Sequence, residues 1–423
     1  MIMNSDTFMF HGCDVAALAA KYGTPLYLVS EDEIRKRCAE IKRDFTDKYD
    51  NTRAAYASKA FQTLEMIRII KSEGLSLDVV SGGEIYAAVK AGFDPADMVF
   101  HGNSKTAGEI GEALDAGVGT IVVDNLSELE LMDQMARDRN MKQEVLFRVT
   151  PGVDSHTHQY ISTGQADSKF GFSTEETVET AVPEALKMEG IDLKGVHFHV
   201  GSQLLENTSH IMAVEIIIKM LEDLKDKYGW TAREINCGGG FGVHYAGDPS
   251  RTKISDFVDP VMKRIEEAYN RCGDPRPMVT IEPGRWIIAE AGITVYEVGS
   301  VKTNAAGRVY AGVDGGFPDN PRTELYNASY EVEAVEKLKL PHTVKTTVAG
   351  KCCESGDIVA YDVMLPPLER GDHLAVLATG AYNYSMSSNY NRIGRPPVVM
   401  LKDGKDRLTV KRETYEDMLR NEM

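Results

Sequence analysis

Lys59 sits in the segment AYASKAF, at the end of an apolar, strand-like run. An ammonium held among apolar groups is disfavoured as a charge, so its pKa falls, and the neutral amine can then form a Schiff base with a carbonyl. Taken alone, a lysine at such a place is better read as a surface lysine in a strand-to-helix loop. Other clusters add to it. The stretch NCGGGFG places Gly238, Gly239 and Gly240 where exposed backbone N–H groups can cradle a phosphate, although a tight turn needs glycine too. In EPGR, Glu282 and Arg285 lie three residues apart, split by Pro283 and Gly284. Such a carboxylate and guanidinium could serve opposite ends of a ligand carrying a cationic ring nitrogen and an anion. The segment HFHVGSQ sets His197 and His199 on one face of a strand. A metal pair is one reading, set aside because no carboxylate or thiolate stands nearby at ligand spacing. Stacking of a flat imidazole on an aromatic cofactor is the other. Late in the chain, GKCCESGD puts Cys353 beside Glu354 in a glycine-bounded loop, and GAYNYSMSSNYN is dense in polar groups around Tyr382. A thiol there could donate a proton; the plainer reading is a β-turn with two incidental thiols.

The elements that must position these residues repeat. Strand-like runs begin at 53-RAAYAS, 76-SLDVVS, 97-DMVFHG, 119-GTIVVD, 144-EVLFRV, 194-KGVHFHV, 234-EINCGGG and 278-MVTIEP. Amphipathic helical stretches alternate with them, such as SHIMAVEIIIKMLEDLKDKYG, apolar at i, i+3, i+4 and i+7. This predicts an α/β chain whose residues 34–288 form a (β/α)8 TIM barrel. Active sites of such barrels form at the C-terminal strand ends, and there the polar residues collect: Lys59, Ser81, His101, Asn103, His199, Ser202, Gly238–Gly240, Glu282 and Arg285. A long polar loop after the fifth strand, 151-PGVDSHTHQYISTGQADSKFGFS, carries two histidines and is read as functional. From about residue 289 the composition turns to strands separated by Gly, Asp and Pro. Residues 289–423 are expected to form a C-terminal all-β domain, with 1–33 supplying it a further strand at 25-PLYLVS.

Bulk properties narrow the function classes. The net charge of −17 argues against a nucleic-acid partner, because phosphate binding needs clustered Lys and Arg. No apolar run is long enough to span a bilayer, so no membrane role is expected. The start MIMNSDTFMFHG lacks a basic, apolar signal, and the six cysteines contain no C-x-x-C pair. A cytoplasmic protein with reduced thiols is expected.

Taken in order, YASKAF, DVVSGGE, HGNSKT, VDNLSELE, FRVTPGVDSHTHQYISTGQADSKFGF, GVHFHVGSQ, NCGGGFG, IEPGR, PRTELYNASYE, CCESGDI and GAYNYSMSSNYN closely resemble the fold-type III pyridoxal-phosphate (PLP) decarboxylases over nearly the whole chain, and within them the branch acting on diaminopimelate. The resemblance implies that Lys59 holds PLP as a Schiff base, His199 stacks on its ring, and Glu282 pairs with the protonated ring nitrogen, making the ring an electron sink. It assigns the phosphate to Ser202, Gly238, Gly239 and Gly240, with Gly284 and Arg285 closing the pocket. Arg285, Arg322 and Tyr326 would grip the far carboxylate of the substrate and Glu354 its distal ammonium. Cys353 would return the proton to Cα, and Tyr382 would touch cofactor and substrate. The expected reaction is decarboxylation of meso-diaminopimelate at its D-centre to L-lysine and CO2. Ornithine, lysine or a carboxylated polyamine are alternative substrates, and a non-catalytic regulator of the same fold is the alternative of another class. Cys353, Glu354 and Tyr382 would come from the other subunit, so the resemblance also implies a homodimer with shared active sites. It implies no bound metal.

Overall fold

A computed structural model describes residues 7–153, 168–245 and 252–423. The chain divides into two compact units. One comprises Arg37–Val243 and Arg251–Trp286, the other Met1–Lys36, His244–Ser250 and Ile287–Met423.

The first unit is a barrel. Eight strands run parallel: β1 (Thr52–Ala57), β2 (Ser76–Val79), β3 (Met98–Phe100), β4 (Thr120–Val123), β5 (Gln143–Thr150), β6 (Ile191–His197), β7 (Glu234–Asn236) and β8 (Met278–Ile281). Each pairs with the next, and β8 pairs back onto β1, with Val279 opposite Thr52. Closure removes both sheet edges. Strands covered on both faces read as continuous apolar runs, and β2, β3 and β4 are buried at every position. Four of the helices between them start on side-chain caps. Thr63, Ser81, Thr106 and Asn125 each accept the N–H of the residue three positions on. Helix Thr208–Tyr228 buries Ala213, Val214, Ile217, Met220, Leu221 and Leu224, and Gly229 closes it in the left-handed conformation at φ 67°. At Gly195, in β6, a Cβ would run into the Glu234 carbonyl of β7, so this position must stay bare.

A polar plug closes the N-terminal end of the barrel. Glu234, fully buried, accepts from Arg53 and from the Thr280 hydroxyl at 2.6 Å each, and Lys194 stands 3.3 Å away. Conserving charge balance in this way lets a carboxylate survive burial.

The second unit is built on the twelve-residue strand Gly292–Thr303. It pairs antiparallel with Leu26–Ser30, with His373–Val376 and with Val309–Val313. Leu26–Ser30 pairs parallel on its other side with Val398–Lys402. The period-2 alternation of strands sorts side chains to two faces. Leu26, Leu28, Ile293, Val295, Val399 and Leu401 enter one core cluster, while Tyr296, Val298, Ala311 and Val313 enter another.

Candidate active site

Strand β1 ends at Ala57, and the next three residues, Ser58–Ala60, form a 3-10 turn that lifts Lys59 out with its side chain exposed. The surroundings differ from the apolar strand end expected from AYASKAF. The field of Lys59 reaches Asp78, Glu84 and His199, so its neighbourhood is charged. Burial pushes the Glu84 carboxyl up to about 7, although its Oε2 accepts the Val80 N–H at 2.7 Å. Burial likewise raises Asp78, whose Oδ1 lacks a hydrogen-bond partner. Ser81, expected among the chemical residues, is spent as a helix cap: its Oγ accepts the Glu84 N–H at 3.2 Å.

Three strands meet at Glu282. Its Oε1 lies 2.8 Å from His101 Nε2, and its Oε2 3.2 Å from His197 Nε2. Asn236 Nδ2 donates to Oε1 at 2.7 Å. Burial alone would raise this carboxyl, but the facing imidazoles more than offset it, and Glu282 lies well below the usual carboxylate range. Burial drives His197 down to about 4, so its ring is neutral near pH 7; Nε2 carries the hydrogen toward Glu282 and Nδ1 has no partner.

Setting aside a metal at the histidine pair rests on finding no carboxylate at ligand spacing. The structure corrects that ground, because Glu282 comes within 4.8 Å of both His101 and His197 through barrel closure. The contacts are nonetheless those of a hydrogen-bonded carboxylate. His197 meets one oxygen and Asn236 donates an amide N–H to the other, beside which the His101 ring also lies.

The strand β6 ends at His197, and His199 lies two residues beyond it, half-buried. Its Nδ1 accepts the Gly239 N–H at 3.3 Å, which fixes the neutral tautomer with hydrogen on Nε2. Burial, then Lys59, holds its pKa well below 6.5. The glycine run is packed between loops. A Cβ at Gly239 would strike the Glu282 carbonyl, and one at Gly240 the Gly201 carbonyl. Gly238 and Gly240 take φ of 65° and 97°. Asn236 Oδ1 accepts the Gly238 N–H at 2.9 Å, so one side chain ties the glycine loop to Glu282. Gly284 packs its bare Cα toward the Ala57 side chain, and Arg285, buried, donates to Ser202 Oγ at 3.1 Å. Lys59, His199, Ser202, the three glycines, Glu282, Gly284 and Arg285 therefore all stand at the C-terminal strand ends of one barrel.

Three further residues of this end were not singled out from the sequence. Asp78, Arg148 and Asn236 lie in the strands β2, β5 and β7, each of which carries other polar residues as well. A polar residue near the C-terminal end of a strand run was the available signal. Of the long polar loop, residues 154–167 with both histidines lie outside the described residues. Its returning end is held by Gly171 N–H on Asp124 Oδ1 at 2.8 Å, and by Arg148 4.1 Å over the Phe170 ring.

The other predicted residues belong to the second unit. The short helix Arg322–Tyr326 presents Arg322 between two rings, with the guanidinium 4.4 Å from the Tyr326 centroid and 4.8 Å from that of Tyr382. Arg322 is 5% exposed, and its Nε has no hydrogen-bond partner. Tyr382 is held at φ 70°, an uncommon conformation for a side chain of that size. Cys353 and Glu354 are exposed on the surface of their own chain.

The family model for "Pyridoxal-dependent decarboxylase, pyridoxal binding domain" matches residues 31–289. The chain belongs to this family. Among curated relatives, the diaminopimelate decarboxylase of Bacillus subtilis is 45% identical over 410 residues, covering 97% of this chain and 93% of that one. Among solved structures, the diaminopimelate decarboxylase of M. jannaschii in co-complex with L-lysine superposes with a TM-score of 0.92 at 33% identity, covering 99% of this chain and 96% of that one. That of Helicobacter pylori, also complexed with L-lysine, gives 0.87 at 32% identity over 96% and 98%.

The barrel end of this pyridoxal-dependent decarboxylase fits the family's cofactor. It offers an exposed amine at Lys59, an ionised buried carboxylate at Glu282, and a bare-backbone cradle at Gly238–Gly240 beside the Ser202–Arg285 pair. These complement an aldehyde, a protonated ring nitrogen and a phosphate.

Proposed function

We propose that the chain removes CO2 from the D-configured centre of meso-diaminopimelate, using pyridoxal phosphate, and releases L-lysine. The single observation that carries the substrate assignment is Arg322. A buried guanidinium with an unpartnered Nε, flanked by two tyrosine rings, suits a carboxylate ligand held bidentately. Ornithine and lysine carry only an ammonium at their far end. Diaminopimelate carries a carboxylate as well, and Glu354 is the counterpart for its ammonium. Gripping the distal L-amino-acid end leaves the D-centre for the barrel.

Lys59 would hold the cofactor's aldehyde, Glu282 its ring nitrogen, and His199 one ring face. Ser202, Gly238, Gly239, Gly240, Gly284 and Arg285 would hold its phosphate. When bound, pyridoxal phosphate accepts the electron pair released as the Cα–carboxylate bond breaks. Glu282, kept ionised by His101 and His197, supports the protonated ring nitrogen. Neutral His199 can stack without adding a competing charge. Cys353 delivers a proton to Cα, and Tyr382 lies against both ligands.

In this reading the assembly is a homodimer, with Cys353, Glu354 and Tyr382 serving the partner's barrel. Exposure of Cys353 and Glu354 on their own chain supports it. A cytoplasmic location is part of the same reading, and six free thiols agree with it. Among the described residues no helix is long and apolar enough to cross a membrane.

The test is a panel of meso-diaminopimelate, L-ornithine and L-lysine with chiral analysis of the product. Release of CO2 from diaminopimelate alone, with L-lysine formed, is expected. Arg322→Ala should lower kcat/KM for diaminopimelate by ~10- to 150-fold, as the loss of a charge-assisted pair worth about 1.5–3 kcal/mol implies. Undiminished turnover by that variant would remove the carboxylate argument.

A further inference from the structure

The loop that carries Cys353 is gripped at two successive peptide groups. The Cys352 N–H donates to Asp357 Oδ2 at 2.7 Å, and the Cys353 N–H donates to Asn391 Oδ1 at 2.7 Å. Holding consecutive amides fixes the backbone torsions of Cys352, and with them the direction in which the Cys353 side chain leaves the chain.

Asp357 is built into its place. It is 3% exposed, and its other oxygen accepts the Phe317 N–H at 2.6 Å. Its own carbonyl accepts the Gly350 N–H at 2.8 Å, while Lys351 N–H donates to the Gly315 carbonyl at 3.0 Å. A Cβ at Gly316 or Gly350 would collide with the Asp357 carboxylate oxygens, so both glycines keep space for it. One carboxylate thus ties the Cys353 loop to the segment that leads, five residues on from Phe317, into Arg322. Asn391 is equally specific. It adopts φ 52° to reach the loop, and the neighbouring Tyr390 hydroxyl lies 3.4 Å from Glu354 Oε2.

The clamp also separates two adjacent thiols. Cys352 turns toward Asp357, and burial followed by that carboxylate pushes its thiol up to about 12. Cys353 is left exposed.

We propose that Asp357 and Asn391 are positioning residues that choose Cys353 over Cys352 as the thiol presented for proton delivery, and hold it in register with the Arg322 arm. This rests on Cys353 being the proton donor.

The experiment is a double-mutant cycle in the holoenzyme, with alkylation of the thiols by iodoacetamide followed by peptide mapping. Asn391→Ala should lower kcat ~10- to 100-fold, the scale of a misplaced reacting group, with KM changed less than about threefold. Asn391→Asp, which keeps the accepting oxygen, should recover most of it. In a Cys353→Ala background Asn391→Ala should cause no further loss. The ratio of Cys352 to Cys353 alkylation should rise in Asn391→Ala and in Asp357→Asn. An equal fold-loss in both backgrounds, or an unchanged alkylation ratio, would overturn the proposal. If Cys353→Ala alone retained full activity, the proton-donor assignment would fail instead, while the alkylation ratio would still report on the clamp.

Discussion

Glu282 shows how a few residues set a charge that burial opposes. Removing a carboxylate from water favours its neutral form, yet His197 and Asn236 donate to it and the His101 imidazole lies 2.8 Å away. The result is an anion prepared before any ligand arrives, which costs no reorganisation during reaction. Glu282→Gln keeps the shape and removes the charge. We expect kcat to fall ~10²- to 10³-fold, the usual scale for losing one prepared electrostatic group, while the cofactor's absorbance band persists. A near-normal kcat would show that the charge is idle. Lys59→Ala should abolish that band, because it removes the amine that would hold the aldehyde. The glycine run, EPGR and HFHVGSQ were legible because their residue types are unusual together. The contact of His101 and His197 with Glu282 was not, since the residues lie 85 or more positions apart and meet only when β8 pairs with β1. The surroundings of Lys59 were misjudged for the same reason: Asp78 and Glu84 arrive from the neighbouring strand and helix.

At the level of elements, the two ends of the barrel divide stability from chemistry. Glu234 at the base touches Arg53, Thr280 and Lys194, drawn from β1, β8 and β6. Glu234→Ala would leave Arg53 without its carboxylate in a half-buried place. A loss of about 3–5 kcal/mol is expected, read as a fall in Tm of ~6–20 °C at 2–4 °C per kcal/mol, with kcat preserved at lower temperature. In the second unit Asp319 accepts from the Tyr296 hydroxyl and the Gly316 N–H, and burial raises its carboxyl to about 7. Between its ordinary value of 3.8 and about 7 the folded chain holds a proton that the unfolded chain has lost. Stability therefore falls as pH rises through that window. Asp319→Asn should flatten the slope, so the variant gains stability relative to the parent between pH 5 and pH 8 in thermal denaturation. An unchanged difference across that range would show that Asp319 ionises normally. The strand–helix alternation could be read from sequence because buried parallel strands are apolar runs and four of the barrel helices open on a side-chain cap. The role of Asp319 could not, because a lone Asp before Asn-Pro reads as a turn residue until Tyr27 and Tyr296 close over it.

For the whole molecule, the predicted site residues divide between the two units: the cofactor set in the barrel, and Arg322, Tyr326, Cys353, Glu354 and Tyr382 in the β unit. A single chain therefore carries both halves of the chemistry without requiring that they serve each other. The homodimer proposal assigns the β-unit half to the partner's barrel, and subunit exchange tests it. Lys59→Ala and Cys353→Ala chains, each assembled alone, should show little activity. Mixed in equal amounts and allowed to exchange, half of the dimers become heterodimers. Each heterodimer then has one site with both defects and one with neither. About a quarter of all sites would be intact, so activity should climb to about a quarter of the parent's. If each chain completed its own site, every site in the mixture would still carry one defect, and exchange would recover nothing. The two arrangements thus give opposite outcomes from the same pair of variants, and a mixture that stays inactive after proven exchange would place Lys59 and Cys353 in one subunit's site.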